Sequence, residues 1–291
     1  MVRAIIEAMN ELASCGIVLS RVLKRLGIAR STYYYNKANP ARATRPELHE
    51  SARKIFARTK NGCGHRQIAM TLRAENNVRI ANKTVLKMMN EIGLKCYIRQ
   101  ETRYKKYSSY RPNAGKTAEN IINRNFKADK SWQKLGTDVT EFKVAGTKAY
   151  LALVVDFYSS EIVAYDVSKN PNLMQQKRLL ARLFERMPSA AAPILHSDMG
   201  WQYRHDYWIA RLKKGNVTRS MSRKGNCLDN AATEQVFGHL KDELYKNQEW
   251  ESYEEFKRDL DNYINHWNTR RRQVRLGGLT PQEFRMKTEV V

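Results

Sequence analysis

The strongest structural signal in this sequence lies in two segments, PILHSDMGWQY at residues 193–203 and RKGNCLDNAATEQVFGHLKDEL at residues 223–244. The first segment opens with the apolar run Pro193-Ile194-Leu195, which a polar run ending at Asp198 follows. This pattern indicates a short buried strand. The second segment predicts an α-helix, because its apolar residues recur at helical spacing.

The predicted helix carries an acid and a base on one line of its surface. Either Asp229 or Asn230 can serve as its N-cap. Glu234 and Lys241 are seven residues apart, which is nearly two helical turns, so their side chains point in the same direction. With Asp198 at the end of the preceding strand, these side chains could hold a metal ion against a polyanion.

Length and cysteine usage limit the class of protein. At 291 residues the chain is long enough for two or three domains. The four cysteines show no C-x-x-C pair, which argues against a zinc knuckle or a disulfide framework and for a reducing compartment. No run approaches about 18 apolar residues, and no signal peptide is evident. We therefore expect a soluble cytoplasmic protein without membrane contacts.

The charge of the chain is strongly positive and unevenly distributed. The net charge is +23, and residues 1–125 hold 25 Lys and Arg against eight Glu and no Asp, whereas residues 126–291 hold 27 basic against 21 acidic residues. Such an excess predicts binding to a phosphate backbone. A merely solubilising basic surface is the alternative. Aromatic residues make up only 10% of the chain, which disfavours a single-strand binder based on stacking.

The N-terminal half predicts two helical units and a linker. Residues 1–45 contain a helix, a turn at Gly27 and a second helix that Ser31 would cap, which is helix-turn-helix spacing, although an ordinary helical hairpin fits equally well. Residues 46–98 predict a second helix-turn-helix domain, with helices at about 48–58 and 65–75 and a third capped by Asn82 or Thr84. Residues 99–125 look like an extended basic linker.

The C-terminal half, residues 126–291, predicts an α/β domain. Its strands are expected at 137–144, 149–157, 161–167, 193–195 and 216–220. Short connections make the first three an antiparallel meander, and the second is apolar enough to be buried on both faces. Helices follow at about 172–187, 204–214, 251–269 and after Pro281. This order predicts a mixed five-stranded sheet flanked by helices.

Three acids occupy separate predicted elements of this domain: Asp138 in the first strand, Asp198 after the fourth and Glu234 on the late helix. An ionised carboxylate inside a strand is costly unless it is paired or metal-bound. Oxygen ligands favour Mg²⁺ or Mn²⁺ over zinc, and two such ions about 3.5–4 Å apart can activate both oxygens of a phosphodiester. The spacing of the three acids is by itself a weak motif, and their positions in strands and helix make it informative.

The neighbours of these acids resemble a known family. The matching motifs are Thr137-Asp138-Val139-Thr140-Glu141-Phe142, the strand 151–156, His196-Ser197-Asp198 with Gly200 and Gln202-Tyr203, the run 220–227, Asp229-Asn230-Ala231-Ala232 with Glu234, Leu240-Lys241, and the tail motifs around Trp267-Asn268 and Thr280-Pro281. Together they are similar to the DDE transposases of two-frame bacterial insertion sequences. That family belongs to the retroviral-integrase superfamily, whose catalytic core is RNase H-like.

The resemblance implies a reaction and a set of site residues. Asp138, Asp198 and Glu234 would be the catalytic triad and the ligands of the metal ions. Water would nick the end of the element, and the freed 3′-OH would attack another phosphodiester without a covalent protein–DNA intermediate. Lys241 resembles a lysine that contacts the terminal DNA near the scissile phosphate.

The resemblance also implies partners. They are double-stranded DNA, as element ends and as target, and further copies of the same chain. An upstream-frame product, joined by frameshifting, is a further expected partner, and the bacterial nucleoid is the expected location.

Some assignments stay open at this point. We expect DNA contacts from Arg223 and Lys224, in a loop near Glu234, and from three residues of the helical units, Arg30, Arg66 and Lys83. Asp156 could be a further metal ligand or a structural acid, and His196 could orient the site or simply support the fold.

Two other functions compete with transposition. One is an RNase H-like nuclease that cuts without joining, and the helical units and the tail argue against it. The other is a DNA-binding repressor with a silent core, and the intact acid triad argues against that.

Overall fold

The computed structural model describes residues 8, 18–38, 44–98, 116–223 and 227–289. Contacts divide the chain into two compact units, residues 1–48 and residues 49–291. Most of the predicted basic linker, residues 99–115, lies outside the described residues. Within the described part, no helix is both long and apolar enough to cross a membrane.

The first unit contains the two helices predicted near residues 18–36. Helix α1 spans Leu19–Arg25 and helix α2 spans Arg30–Ala38. Gly27, in the connection between them, has a φ of +66°, a left-handed conformation that glycine adopts without steric cost. The predicted cap at Ser31 is wrong, because α2 already begins at Arg30. A 3-10 turn at Pro46–Leu48 closes the described part of this unit.

The second unit begins with three helices: α3 at His49–Phe56, α4 at His65–Glu75 and α5 at Asn82–Glu91. Their apolar faces meet in a small core that includes Ile55, Ile68, Leu72, Val85 and Met88, all buried. The predicted capping role of Asn82 or Thr84 is wrong. The N-cap position belongs to Ala81, and the Asn82 side chain instead accepts a hydrogen bond from the Arg73 guanidinium at 2.7 Å.

The rest of this unit is built on a five-stranded sheet. Its strands are β1 at Lys134–Val144, β2 at Thr147–Asp156, β3 at Ile162–Ser168, β4 at Ile194–Ser197 and β5 at Thr218–Met221. Their order across the sheet is β3-β2-β1-β4-β5. The first three strands pair antiparallel, and β4 pairs parallel with both β1 and β5. The predicted mixed five-stranded sheet is confirmed.

The helices of this part are α6 at Leu173–Arg186, α7 at Trp201–Arg204, α8 at Asp206–Lys214, α9 at Ala231–Leu240, α10 at Tyr253–Thr269 and α11 at Pro281–Glu289. A 3-10 turn at Cys227–Asn230 precedes α9, and a second lies at Val274–Leu276. The helix expected to run through Leu244 ends at Leu240, and a π-helical turn at Lys241–Tyr245 continues it. The helix expected at 204–214 is two helices, with an extended backbone at His205 between them.

Strand β2 shows why helices cover both faces of the sheet. Every residue from Ala149 to Asp156 is buried, as expected of a central strand without a solvent face. Leu151, Leu153 and Val155 pack with α9 and α10, whereas Ala152 and Val154 pack with α6 and α8. Because successive side chains of a strand point to opposite faces, alternate residues of β2 belong to two different hydrophobic cores.

Candidate active site

Two of the predicted acids emerge at the same edge of the sheet from neighbouring strands. The parallel pairing of β1 and β4 ends at Gly136 opposite His196, and Asp138 and Asp198 each follow two residues later. Both side chains are half-buried. The Asp138 carboxylate accepts hydrogen bonds from the Val139 N–H at 2.7 Å and from Asn230 Nδ2 at 3.1 Å. Asp198 Oδ1 accepts one from the Gly200 N–H at 2.8 Å.

A buried tyrosine lies within electrostatic range of both aspartates. Tyr203 on α7 has no exposed surface. Burial raises the pKa of its hydroxyl well above the ordinary value, and the negative charges of Asp138 and Asp198 raise it further. No functional role for Tyr203 was predicted from the sequence. The structure places it next to the two acids.

The third acid, Glu234, lies half-buried in the first turn of α9. This helix approaches β1 closely at Gly136, where an added Cβ would lie 2.3 Å from Thr233 Oγ1 and 2.5 Å from the Phe157 ring. A larger residue at this position would therefore force Thr233 and Phe157 to move. The absence of a side chain at Gly136 brings the Glu234 helix against the Asp138 strand.

The residues predicted to cap this helix have other partners. Asn230 occupies the N-cap position but makes no side-chain capping bond, and its amide donates to Asp138 instead. Asp229 lies in the preceding 3-10 turn, and its buried carboxylate pairs with Arg223 and Arg124. The capping prediction for Asp229 is wrong, and for Asn230 only the position is right. Tertiary partners have replaced the local hydrogen bond in both cases.

Lys241 lies close to Asp138. It begins the π-helical turn and is half-buried, with its Nζ 5.7 Å from the centroid of the Phe142 ring. Burial lowers the pKa of its ammonium group, and the charges of Asp138 and Glu141 oppose that effect. Lys241 and Asp138 thus interact electrostatically at this edge of the sheet.

The donor atoms at this edge suit a hard divalent cation. They are carboxylate oxygens together with Asn230 Oδ1, a buried acceptor for which the described residues provide no hydrogen-bond donor. Oxygen donors of this kind are those that Mg²⁺ and Mn²⁺ prefer. Among the described residues, however, no three His, Cys, Asp or Glu side chains are spaced to hold a metal ion. The oxygen donors are of the type that the ion prefers, but the described residues do not form a complete set of metal ligands.

His196 stabilises the fold at this edge of the sheet. This is one of the two roles that the sequence left open. It is buried, and its ring joins Ser220 Oγ at 2.9 Å to the Asp229 carbonyl at 2.8 Å. The carbonyl can only accept, so His196 Nε2 carries the proton. Ser220 Oγ already accepts from the Ile121 and Ile122 amides, so it donates to Nδ1. Burial lowers the pKa of His196, in agreement with this neutral tautomer.

Asp156 is likewise structural. Its carboxylate is buried and accepts hydrogen bonds from the Ser159 hydroxyl at 2.7 Å and from the amides of Tyr158 and Ser159, both at 3.3 Å. These bonds close the turn between β2 and β3. Burial raises the pKa of Asp156, and the hydrogen bonds oppose that rise.

The predicted DNA-contacting residues are dispersed. Arg30 is exposed on α2 of the first unit, and Lys83 is exposed in the first turn of α5. Arg66 is exposed in the first turn of α4 and lines a cleft of about 1140 Å³ that α9 also lines. Arg223 pairs with Asp229, and Lys224 lies outside the described residues.

The loop between α3 and α4 is joined to the turn that holds Lys241. Asn61 Nδ2 donates to the carbonyls of Asp242 at 2.8 Å and Lys246 at 2.7 Å, and the Asn61 N–H donates to the Glu243 carbonyl at 3.3 Å. Gln248 Nε2 donates to Asn61 Oδ1 at 3.1 Å. These are carbonyls that a helix end leaves without intrahelical partners. The sequence contained no signal for this contact.

We expect the substitution Asn61→Ala to loosen this turn. It removes three half-buried side-chain hydrogen bonds, so the free energy of unfolding should fall by about 1–3 kcal/mol. Amide hydrogen exchange in residues 241–246 should become faster. Asn36→Ala is a matched control, because that side chain makes a single exposed bond to the Thr32 carbonyl. Unchanged exchange in residues 241–246 would show that Asn61 does not hold the turn.

Comparison with known proteins agrees with this architecture. Residues 128–227 and 234–288 each match an integrase core domain model, and residues 44–102 match an HTH-like domain model. The protein InsK of insertion sequence element IS150 from Escherichia coli (strain K12) is 38% identical over 275 residues, which are 93% of this chain and 94% of that protein. Transposase InsF for insertion sequence IS3A from the same organism is 30% identical over 278 residues, 92% of this chain and 93% of that one.

A solved structure is also similar. The catalytic core domain of BIV integrase aligns with a TM-score of 0.41 and 18% identity over 54% of this chain and 96% of that chain. The domain matches and the strand order confirm the predicted α/β fold, an RNase H-like sheet preceded by an HTH-like helical region. The extent and identity of the matches to InsK and InsF show that this chain belongs to the transposases of bacterial insertion sequences.

Proposed function

We propose that this transposase nicks the ends of its element and joins the freed 3′-OH to another phosphodiester in a reaction that depends on Mg²⁺ or Mn²⁺. The observation that supports this most directly is the equivalent position of Asp138 and Asp198 beyond the paired residues of β1 and β4. Glu234 lies on α9, and Asn230, the N-cap residue of that helix, donates to Asp138.

Asp138, Asp198 and Glu234 would hold the metal ions. When bound, two divalent ions would supply the activation of the attacking oxygen and the stabilisation of the leaving oxygen. The protein contributes orientation: the Val139 and Asn230 donors fix the Asp138 carboxylate, and the Gly200 N–H fixes that of Asp198. Lys241 on the turn after α9 is proposed to contact a DNA phosphate, and its electrostatic interaction with Asp138 supports this role.

The proposal includes partners and location. The substrates are double-stranded DNA, as element ends and as target, and the transposase acts as a homo-oligomer, alone or with an upstream-frame product. Arg30, Arg66, Lys83, Arg223 and Lys224 are proposed to contact DNA. The expected four-part organisation, residues 1–45, 46–98, 99–125 and 126–291, and a cytoplasmic location at the nucleoid remain part of this proposal.

One assay separates this function from its two rivals. Labelled DNA carrying the element's terminal sequence is incubated with protein and Mg²⁺, and the products are resolved on denaturing gels. A transposase yields both nicked and joined products, and chelation of the metal should remove both. A nuclease without joining activity would yield nicked DNA alone. A silent repressor would bind the DNA and leave it intact.

The substitution Lys241→Ala is expected to weaken binding to element ends. Loss of one phosphate contact should lower the slope of log K against log salt by about one. Fluorescence anisotropy titrations at several salt concentrations measure this slope. Lys257→Ala removes an equal charge from an exposed lysine on α10 that pairs with Asp261, and it serves as the control. An unaltered slope in Lys241→Ala would remove the lysine from the DNA interface.

A further inference from the structure

The carboxylate of Asp229 is the centre of a buried hydrogen-bond cluster. Its side chain has no exposed surface. Oδ1 accepts from Arg124 Nε at 2.8 Å and Arg223 Nη2 at 3.0 Å. Oδ2 accepts from Arg223 Nε at 2.9 Å, from the Arg223 N–H at 3.1 Å and from Asn120 Nδ2 at 3.0 Å. The hydrogen bonds from Arg223 are the main reason that the pKa of Asp229 lies well below its ordinary range, so the group stays ionised.

The two arginines are oriented by this carboxylate but remain accessible. Their side chains are 46% exposed at Arg124 and 53% exposed at Arg223. Arg124 binds Asp229 through Nε alone, and its two terminal nitrogens make no hydrogen bond to the described residues. Arg223 binds Asp229 through Nε and Nη2, and its Nη1 makes no hydrogen bond within the described part of the chain. The cluster therefore carries one net positive charge and offers guanidinium donors to an outside acceptor.

The backbone before the cluster is held in an uncommon conformation. Asn123 and Arg124 have φ values of +43° and +64°, which are costly for residues other than glycine. The Asn123 N–H donates to Asn120 Oδ1 at 2.8 Å, and the Asn125 N–H donates to the Ile122 carbonyl at 2.8 Å. Consecutive left-handed residues of this kind persist where the surroundings enforce them and concentrate at functional sites.

The cluster adjoins the candidate active site. Asn230, the residue after Asp229, donates to the Asp138 carboxylate, and the Asp229 carbonyl accepts from His196 on β4. The arginine pair is thus fixed to the same turn that contacts Asp138. A planar guanidinium suits a phosphate because its donors match two phosphate oxygens, and prior orientation reduces the entropy lost on binding.

We propose that Arg124 and Arg223, oriented by the buried carboxylate of Asp229, form a binding site for one backbone phosphate of DNA beside the candidate active site. The inference rests on the proposed function in that it takes DNA as the ligand, but it requires no catalysis. The competing role is an ion pair that only fastens residues 120–124 to the turn before α9. Asp229 and Asn120 are positioning residues in this proposal, since they act through the arginines.

The proposal is tested by replacing single DNA phosphates with uncharged methylphosphonates. The full chain is titrated, without divalent metal, with duplexes of the element's terminal sequence that each carry one methylphosphonate at a different position near the end. For the wild-type protein, neutralising the contacted phosphate should weaken binding by about tenfold. Arg124→Gln should bind unmodified DNA several-fold more weakly, and a methylphosphonate at that one position should weaken its binding less than that of the wild-type protein, because only Arg223 still contacts the phosphate. Arg124→Lys, which keeps the charge, should recover part of the sensitivity.

The chain contains a matched control cluster. Asp166 on β3, only 2% exposed, pairs with Arg178 at 2.8 Å and with Arg182 at 3.4 Å, and the side chain of Arg182 is 49% exposed. Because β3 is an edge strand separated from β1 by β2, Arg182→Gln removes the same charge from a similar cluster away from Asp138. In this variant each methylphosphonate should weaken DNA binding as much as it does in the wild-type protein.

The proposal would be wrong if each methylphosphonate weakened DNA binding by Arg124→Gln as much as it weakens binding by the wild-type protein. The cluster would then be a structural ion pair only. Arg223→Gln provides a second, equally exposed variant if Arg124→Gln does not fold. Failure of the proposed function would be seen in the separate assay for nicked and joined DNA. Wild-type protein would then yield no joined product with Mg²⁺ while its methylphosphonate profile persisted.

Discussion

Asp138→Asn, Asp198→Asn and Glu234→Gln are each expected to abolish nicking and joining of element-end DNA, by more than about a thousandfold. In the proposed mechanism each substitution removes one anionic ligand of the divalent ions, and a loss of several kcal/mol of transition-state stabilisation corresponds to at least that factor. The gel assay with labelled DNA measures both products, and anisotropy shows that binding survives. Glu185→Gln, an equal change at an exposed residue of α6, is the control.

A change of metal distinguishes a ligand from a residue that only supports the fold. Asp138→Cys replaces a hard oxygen donor with a soft thiolate, so activity should be lost with Mg²⁺ and partly recovered with Mn²⁺. A residue that only supports the fold would not show this dependence on the metal. Wild-type joining by any of the three substituted proteins, Asp138→Asn, Asp198→Asn or Glu234→Gln, would exclude that acid from the catalytic site.

The substitution Arg271→Met is expected to cause the largest loss of stability. The Arg271 guanidinium is mostly buried and contacts both carboxylate oxygens of Glu243, at 2.6 Å and 2.9 Å, while the Tyr263 hydroxyl donates to the same carboxylate at 2.9 Å. Removal of the cation leaves a buried charge without its partner, which should lower the free energy of unfolding by about 3–5 kcal/mol. Urea unfolding followed by circular dichroism measures the change.

Two controls separate the unpaired charge from lost packing. The double variant Glu243→Leu with Arg271→Met removes both charges and should recover most of the stability. Lys257→Met breaks a pair in which the lysine is 46% exposed and Asp261 is 35% exposed, and it should cost about 1 kcal/mol or less. Equal losses in Arg271→Met and Lys257→Met would contradict the assignment of Arg271 and Glu243 as a buried pair.

The same variant should change how stability depends on pH. Burial by itself would raise the pKa of Glu243, but the charge and hydrogen bonds of Arg271 outweigh burial and leave that pKa below its ordinary value. The ionised pair therefore stabilises the wild-type fold above the ordinary pKa of a glutamate, and this contribution is lost as the pH falls through the lowered value. In Arg271→Met only the Tyr263 hydrogen bond and the His239 charge still oppose the effect of burial on the pKa of Glu243. The stability difference between the two proteins should be greatest at neutral pH and should shrink on acidification.

Much of the architecture was predictable because it depends on local patterns. Hydrophobic periodicity places helix α4 at residues 65–75, as predicted, and places β1, β2 and β3 within about three residues of their observed ends. The continuous apolar run of β2 predicted burial on both faces, and the structure confirms it. The predicted meander and the mixed sheet were correct because short connections favour neighbouring strands.

Contacts between distant segments could not be read from such patterns. The parallel pairing of β4 with β1 joins residues about 60 positions apart and brings Asp198 beside Asp138. The capping rules for Asp229 and Asn230 failed because a buried arginine cluster and the Asp138 carboxylate offer charged partners, which form stronger hydrogen bonds than an N-cap. Arg124 gave no sequence signal beyond the basic composition of its region.

The amino-acid order thus determined which elements form and which acids they carry, because periodicity and propensity act within a few residues. Folding in three dimensions decided which of those acids share an edge of the sheet, which arginines a buried carboxylate orients, and how Asn61 reaches the turn at Lys241. Strand pairing, burial and ion pairing act between residues that are remote in the chain. Their outcome depends on the packed molecule as a whole.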